Sequence, residues 1–202
     1  MTKYTMSAIL ILLSAICVLV FYQFITNSLN ENKSGKELTV HTLKVINRET
    51  GKPVMILSDS LPDPIVHGKE VPRIFKTSGM LYFDNEGNEV GGLVQPKIDM
   101  KQSMFTMDYD NTDAFSIFKQ QTDSTWRMGL VMFDKNTSEE FETKGSGGTP
   151  RIIMANDNKD AVLILRDTEG RDRILLMVDK YDNPVIKIFD ENGNLTKDLI
   201  KQ

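Results

Sequence analysis

Cysteine and histidine are scarce in this sequence. Its 202 residues include one Cys and two His. A single Cys excludes a disulfide framework and every metal cluster built from several thiolates. His41 and His67 lie in unrelated contexts and form no H-E-x-x-H motif, so a zinc site is not expected. We predict that the protein carries no metal ion and no cofactor.

Basic residues are outnumbered, and catalytic motifs are absent. The chain has 24 Lys and Arg residues against 28 Asp and Glu residues, which gives a net charge of −4. Because this charge opposes contact with polyanions, no nucleic acid partner is expected. Ser146 lies in G-S-G-G, which lacks the G-x-S-x-G frame of a nucleophile elbow, and the sequence contains no phosphate-binding loop. We therefore assign no catalytic residue.

Two acidic turns superficially resemble calcium loops. The segment Asp190–Asn194 has oxygen ligands at alternate positions, like the start of such a loop. The sixth and twelfth positions should then be Gly and Glu, but they are Leu195 and Lys201. The segment Asp108–Asp113 also departs from the pattern. We interpret both segments as solvated turns, and a calcium site of another kind between adjacent turns stays open as an alternative.

Charge is missing from the N-terminal region between Tyr4 and Asn30. The apolar centre, Met6–Ile25, is long enough as a helix to cover about 30 Å, the hydrocarbon thickness of a bilayer. It exceeds the apolar core of a cleaved signal peptide, and no small-residue cleavage site follows it. We predict a transmembrane anchor over residues 1–26, followed by a polar tether over residues 27–37.

The short charged tail before this apolar run indicates the orientation. A five-residue tail followed by a long apolar segment is typical of a signal anchor, which would leave residues 38–202 outside the cytoplasm. Cys17 falls inside the predicted anchor, so the domain beyond it has no thiol to oxidise. We therefore expect a single-pass membrane protein with an extracytoplasmic C-terminal domain.

Beyond the tether, four windows of 15 residues share one pattern: Leu43–Leu57, Gly79–Leu93, Val162–Leu176 and Val185–Leu199. Their ninth residues are Gly51, Gly87, Gly170 and Gly193, and each window closes on Leu. Three of them carry Asp three residues before the Gly. Asp favours the first position of a tight turn, and Gly supplies the positive φ that a hairpin requires. We predict a β-hairpin in each window, with the glycine at its tip.

The rest of the domain also has the pattern of short strands, for example over Met104–Asp108, Ala114–Lys119 and Trp126–Phe133. Two long loops are expected at Asp59–Ser78 and Asp134–Thr149, and no amphipathic helix is expected after the anchor. Sheets of about a dozen strands curl, close or split. We therefore predict an all-β domain, an antiparallel meander of hairpin repeats closed into a barrel or roll. A small propeller or a β-solenoid is the alternative.

The chain resembles a group of uncharacterised bacterial proteins that have one N-terminal membrane anchor and a domain of D-x-x-G β-hairpins. The resemblance covers roughly Leu38 to Leu199. It rests most specifically on GMLYFDNEGNEVGGL, together with FTMDYDNTD, RMGLVMFDK and the closing hairpins from Ala161 onward. It implies a bacterial, membrane-anchored β domain, and it implies no activity and no catalytic residue.

These features favour a membrane-anchored envelope protein that serves as a non-catalytic binding or structural module. Its expected partners are the membrane, through the N-terminal helix, and an envelope protein or polymer. Two alternatives stay open. One is a hydrolytic enzyme with a carboxylate site in a barrel mouth, and the other is a calcium-stabilised, adhesion-like module.

The second repeat differs from the others and suggests where a ligand would bind. It carries Gly91–Gly92 where the first and third copies carry Met55–Ile56 and Ile174–Leu175. Adjacent glycines in a strand forfeit packing. A β-bulge or a crowded backbone crossing would explain them, and so would the close approach of a ligand. On the second reading, we predict a binding surface formed by His67, Asp84, Glu86, Glu89, Gly91 and Gly92.

Overall fold

The structure, a computed structural model, describes residues 16, 18–23, 25–26, 38–66, 69–145 and 147–200. The chain divides into two compact units, Met1–Val40 and His41–Gln202.

The first unit contains the predicted anchor. Residues 18–23 and 25–26 are helical, whereas residues 1–15 and the whole of the predicted tether lie outside the described residues. Within the part of the chain that the structure describes, no helix is both long enough and apolar enough to cross a membrane. The spanning helix is therefore not supported here and stays a prediction from the sequence.

The second unit consists almost entirely of β-strands. In chain order its elements are β1 (Thr42–Ile46), β2 (Pro53–Ser58), β3 (Ile65–Val66), β4 (Lys69–Glu70), β5 (Thr77–Phe83), β6 (Glu89–Pro96), β7 (Lys101–Asp108), β8 (Asp113–Gln121), β9 (Trp126–Phe133), α1 (Ser138–Lys144), β10 (Pro150–Asp157), β11 (Asp160–Arg166), β12 (Asp172–Val178), β13 (Pro184–Phe189) and β14 (Leu195–Asp198). Strand β9 has the bounds that the sequence predicts, and β7 and β8 contain the two strands predicted before it.

Twelve of these strands form one antiparallel sheet in the order β1-β2-β5-β6-β7-β8-β9-β10-β11-β12-β13-β14. The strands β3 and β4 pair separately as a small hairpin inside the loop between β2 and β5. The predicted all-β antiparallel meander is therefore confirmed.

The closure of that meander into a barrel or roll is not confirmed. Among the described strands, β1 and β14 are the two ends of the sheet, and each pairs with one neighbour only. The propeller alternative is wrong, because the blades of a propeller are separate sheets, whereas these twelve strands form one sheet. Hairpin signals specify which strand follows which. Closure depends on whether the first and last strands meet, and no local pattern encodes that contact.

The hairpin turns agree with the sequence prediction. The φ angles of Gly51, Gly87, Gly170 and Gly193 are 71°, 89°, 79° and 80°. In the turn after β5, the Gly87 N–H donates to the Asp84 carbonyl at 3.1 Å. The Asp84 carboxylate accepts the N–H of Asn88 at 2.8 Å. The positive φ angles of all four glycines are therefore confirmed.

A fifth turn of this type was missed because it contains no glycine. In the turn between β12 and β13, Asp182 takes the glycine position with a φ of 65°. Its N–H donates to the Asp179 carbonyl at 2.9 Å. The Asp179 carboxylate accepts the N–H of Asn183 at the same distance, 2.9 Å. Asp is one of the few residues other than Gly that tolerate this conformation.

A short helix, α1, interrupts the loop after β9, where the sequence analysis expected none. Thr137 caps it by accepting the N–H of Glu140 at 3.2 Å, and the Glu140 carboxylate accepts the N–H of Thr137 at 2.8 Å. This reciprocal pair is a capping box, whose T-x-x-E signature is visible in the sequence. The expectation of an all-loop connection was wrong because this signal was not used.

The buried core lies on one face of the sheet. Ile56, Leu81, Phe83 and Val94 contact one another there, and Leu61 from the loop after β2 joins them. Ile56 pairs in register with Leu81, so the two side chains share a face. On the opposite face of the sheet, apolar side chains such as Leu57 and Leu93 are exposed.

Candidate functional site

The face opposite the core carries two registered rows of apolar residues. In an antiparallel sheet, directly paired residues point to the same side, so a row can be followed from strand to strand. The first row runs, from β1 to β13, through Leu43, Leu57, Met80, Leu93, Phe105, Ile117, Leu130, Met154, Leu163, Leu176 and Ile186.

On each strand, the second row lies two residues away from the first, towards the same edge of the sheet. It runs through Val45, Met55, Tyr82, Gly91, Met107, Phe115, Met132, Ile152, Leu165, Ile174 and Ile188. Neither row contains a charged residue, and the second row is interrupted at Gly91, which is buried and has no side chain. We call these two rows the apolar band.

The apolar band is open to solvent. Nine of its side chains are exposed: Leu43, Val45, Leu57, Leu93, Met107, Ile117, Met132, Met154 and Leu176. Twelve more are partly exposed. At roughly 70 Å² for each exposed and 30 Å² for each partly exposed side chain, the band offers about 1,000 Å² of accessible surface. The largest apolar patch of a typical monomer is about 300–600 Å².

Polar residues border only part of the band on one side. Along β5–β8 the next positions are Ser78, Gln95, Ser103 and Lys119. Along β9–β13 the same row continues through Met128, Asn156, Ala161, Val178 and Pro184. Lys119 is exposed, as expected for a solvated rim. An apolar centre with a polar rim, as found along β5–β8, is the usual anatomy of a surface that contacts another molecule.

A second candidate region lies at one end of three neighbouring strands. Glu89 begins β6, Asp108 ends β7 and Asp113 begins β8, and Asp108 pairs with Asp113 in register. Register shifts at Phe83 and at Asp108 mark irregular pairing at this end. Together with Arg73, these carboxylates line a pocket of about 180 Å³. We call this region the carboxylate pocket.

Arg73 is the basic side chain that lines this pocket. Its guanidinium donates from Nη2 to Glu89 Oε2 at 2.6 Å and from Nε to the Pro62 carbonyl at 2.8 Å. The backbone N–H of Arg73 also donates to Asp63 Oδ1 at 2.9 Å. The Arg73 and Glu89 side chains are only 18% and 12% exposed, so water screens their attraction weakly.

Burial raises the pKa of all three carboxyl groups. For Glu89, burial outweighs the opposing effect of the Arg73 charge, and the pKa is raised. For Asp113, burial alone raises the pKa. For Asp108, burial acts first and the negative charges of Asp113 and Glu89 add to it, which raises the pKa to about 7. A large fraction of Asp108 is therefore protonated at neutral pH.

Asp108 also lacks a complete set of hydrogen bonds, since its Oδ1 atom is buried without a partner. A protonated carboxyl beside a carboxylate paired with arginine has the elements of an acid–base pair. The pocket is smaller than the 300–1,000 Å³ of typical ligand sites. Among the described residues, no group of three or more His, Cys, Asp or Glu side chains is arranged to hold a metal ion.

The predicted binding residues lie in several different environments. Asp84 is in the β5–β6 turn, and its pKa is lowered overall. Desolvation by burial raises this pKa, but the hydrogen bonds from Asn88 and the turn backbone lower it by more. The backbone carbonyl of Glu86 accepts Lys52 Nζ at 2.7 Å. Glu89 lies in the carboxylate pocket. His67 lies outside the described residues.

The two glycines of the predicted site are buried between strands. A Cβ atom at Gly91 would lie 2.4 Å from the Thr106 carbonyl oxygen, and one at Gly92 would lie 2.5 Å from that of Met80. Gly91 also has a φ of 139°. Close approach of neighbouring backbones therefore explains why both positions are glycine, and the six-residue surface stays a prediction.

Sequence reasoning missed Arg73, Asp108 and Asp113 as parts of a pocket. The turn that joins the two aspartates was interpreted as solvated, whereas its residues Asn111 and Thr112 are buried, at 6% and 3% exposure. The available signal was that Asp108 ends one predicted strand and Asp113 immediately precedes the next, with one short turn between them. Adjacent strand ends bring such residues together.

No known protein-family model matches this chain, and no curated protein is significantly similar to it.

Proposed function

We propose that this chain is a non-catalytic interaction module of the cell envelope, held at the membrane by its N-terminal segment, and that the apolar band is its contact surface. The observation that supports the proposal is the band itself, an uncharged surface of two registered rows across eleven strands. Exposed apolar surface of this extent is unfavourable in water and is normally covered by another molecule.

The proposed location in the envelope rests on the uncharged segment Met6–Ile25, which is long enough as a helix to cross a bilayer. On this proposal, the domain from Leu38 onward lies outside the cytoplasm. Protease added to intact cells or spheroplasts should digest the domain. Protection until the membrane is permeabilised would contradict the proposed orientation.

Photo-crosslinking in native membranes tests the contact surface. A photoreactive residue at Leu93, which lies in the band and is 49% exposed, should give a crosslinked product of higher mass. The control position is Ile74, an apolar residue outside the band that is 88% exposed. Crosslinking at Leu93 well above that at Ile74 supports the proposal. Equal or absent crosslinking at both positions would contradict it.

A hydrolase is the second candidate, and the carboxylate pocket is the observation that favours it. In that role, Asp108 would donate the proton and Glu89, paired with Arg73, would act as the carboxylate base or nucleophile. The small pocket volume weighs against a substrate that must be enclosed. Turnover of chromogenic glycosides or esters by the full chain, lost in both Asp108→Asn and Glu89→Gln, would establish this activity. Failure of the wild-type chain to turn over such substrates would remove this candidate.

A further inference from the structure

We infer that the occupant of the apolar band is the band of a second copy of this chain, packed face to face across a two-fold axis. This inference rests on the proposed function, because it identifies the partner of the same surface. Three features of the molecule support it: the area of the band, its length and its lack of charge.

The area is sufficient for a stable dimer. A standard protein interface buries about 800 Å² on each partner. The band offers about 1,000 Å² on each copy, and it is more uniformly apolar than a typical transient interface. Two such surfaces match each other chemically, since each consists of apolar side chains and neither brings a charge to be buried.

The length of the band argues against the chain's own apolar segment as the occupant. At about 4.8 Å between strands, the band extends about 50 Å across eleven strands. Met6–Ile25 would cover about 30 Å as a helix and would leave a large part of the band exposed. A second copy has a band of the same length and covers it fully.

The composition of the band argues against a lipid surface as the occupant. Contact with anionic headgroups is normally driven by Lys and Arg side chains at the surface that meets them. The band contributes no Lys or Arg.

The direction of the two-fold axis decides which residues meet. In an isologous interface, if one residue contacts a second residue on the other copy, that second residue also contacts the first across the axis. The axis of this dimer runs parallel to the strands and through the centre of the rows, so that the two rows overlap along their full length. Ile117 is the sixth of eleven residues in the first row and therefore contacts Ile117 of the second copy. Leu93, the fourth residue, then lies opposite Met154, the eighth.

Cysteine crosslinking of the full chain in membranes tests this geometry. In a Cys17→Ala background, Ile117→Cys should be joined to a second copy by a short bis-maleimide. Ile74→Cys, outside the band, should give several-fold less product. Mixing copies that carry Leu93→Cys with copies that carry Met154→Cys should give a mixed dimer, which tests the pairing without altering Ile117.

A charge exchange separates a specific contact from damage to the fold. With Ile117→Cys as the reporter, Leu93→Lys should abolish the crosslink, and so should Leu93→Lys combined with Met154→Lys. Adding Met154→Asp to Leu93→Lys should restore the crosslink, because opposite charges would then meet across the axis. Circular dichroism melts of each variant show whether the domain is folded.

The outcomes distinguish this inference from the proposed function. Crosslinks from the band to a different protein, without self-crosslinks, would overturn the dimer and leave the band as an interaction surface. If neither Ile117→Cys nor the mixed pair gives a crosslink, the dimer is overturned. If, in addition, Leu93 crosslinks to no protein at all, the proposed function is overturned as well. Equal crosslinking at Ile74 and Ile117 would show that the N-terminal segments, and not the bands, bring the copies together.

Discussion

The substitution Asp108→Asn is expected to stabilise the protein at pH 8 and to change its stability little at pH 5. Asp108 lies in the carboxylate pocket with Glu89, Asp113 and one basic side chain, Arg73. Burial and the neighbouring carboxylates raise its pKa from 3.8 to about 7. The unfolded chain ionises freely above pH 4, so the folded state binds the proton more tightly than the unfolded state does.

The sign of the pH dependence follows from this difference. Because the pKa of Asp108 is raised on folding, the free energy of unfolding decreases as pH rises from about 4 to about 7. This difference in pKa lowers the free energy of unfolding by about 4 kcal/mol once Asp108 is fully ionised in the folded state. Asparagine removes the charge but keeps an amide that also needs hydrogen bonds. We therefore expect a gain of about 2 kcal/mol at pH 8.

Urea unfolding of the full chain at pH 5, 6, 7 and 8, followed by circular dichroism, measures this effect. The control is Asp123→Asn, an exposed aspartate in the β8–β9 turn, whose substitution should alter stability by only a few tenths of a kcal/mol at every pH. The reasoning is refuted if Asp108→Asn has the same effect at pH 5 and pH 8, or if it destabilises the chain at pH 8.

At lower pH, the aspartates of the hairpin turns should dominate the pH dependence of the free energy of unfolding. Their contribution has the opposite sign to that of Asp108. Hydrogen bonds from the backbone and side chain of Asn183 lower the pKa of Asp179, and those from the side chain and backbone of Asn194 lower the pKa of Asp190. A lowered pKa contributes stability that is present above the unfolded value and is lost as pH falls through the folded value. Stability should therefore pass through a maximum between the two regimes.

Three further predictions concern local geometry. Gly170→Val should destabilise the domain by more than about 1 kcal/mol, because φ at this hairpin tip is 79°; a change within a few tenths in urea unfolding would count against the turn geometry. Gly92→Ala should lower the free energy of unfolding by about 2 kcal/mol or more, since its Cβ would lie 2.5 Å from the Met80 carbonyl oxygen. Gly147→Ala, with open space around it, should be nearly neutral. Equal effects of the two substitutions would refute the crowding argument. Thr137→Ala should cost about 1 kcal/mol by removing the α1 cap, and an unchanged urea midpoint would show that the cap contributes nothing to global stability.

The sequence predicted the elements of this fold better than their final arrangement. The D-x-x-G signals located the tips at Gly87, Gly170 and Gly193, because turn chemistry is local and only a few residue types adopt positive φ. The Asp182 turn was missed because the prediction required glycine. Whether β1 and β14 meet depends on the accumulated twist of the whole sheet, which is not encoded at any single hairpin.

The candidate surfaces were harder to predict for a related reason. Apolar residues occupy both faces of many strands here, so period-2 alternation does not reveal which face is the core. The burial of Ile56 and the exposure of Leu57, its neighbour in β2, follow from tertiary packing. The carboxylate pocket likewise depends on strand register, which places Asp108 opposite Asp113 and brings Glu89 to the same end of the sheet.

The central claim, that the apolar band is covered in the working protein, is tested most directly by thiol labelling in native membranes. In a Cys17→Ala background, Leu93→Cys and Ile74→Cys are each exposed in the isolated chain. The account predicts that a water-soluble maleimide labels Ile74→Cys rapidly and Leu93→Cys slowly, and that unfolding the protein removes the difference. Equally rapid labelling of both positions in intact membranes would contradict it.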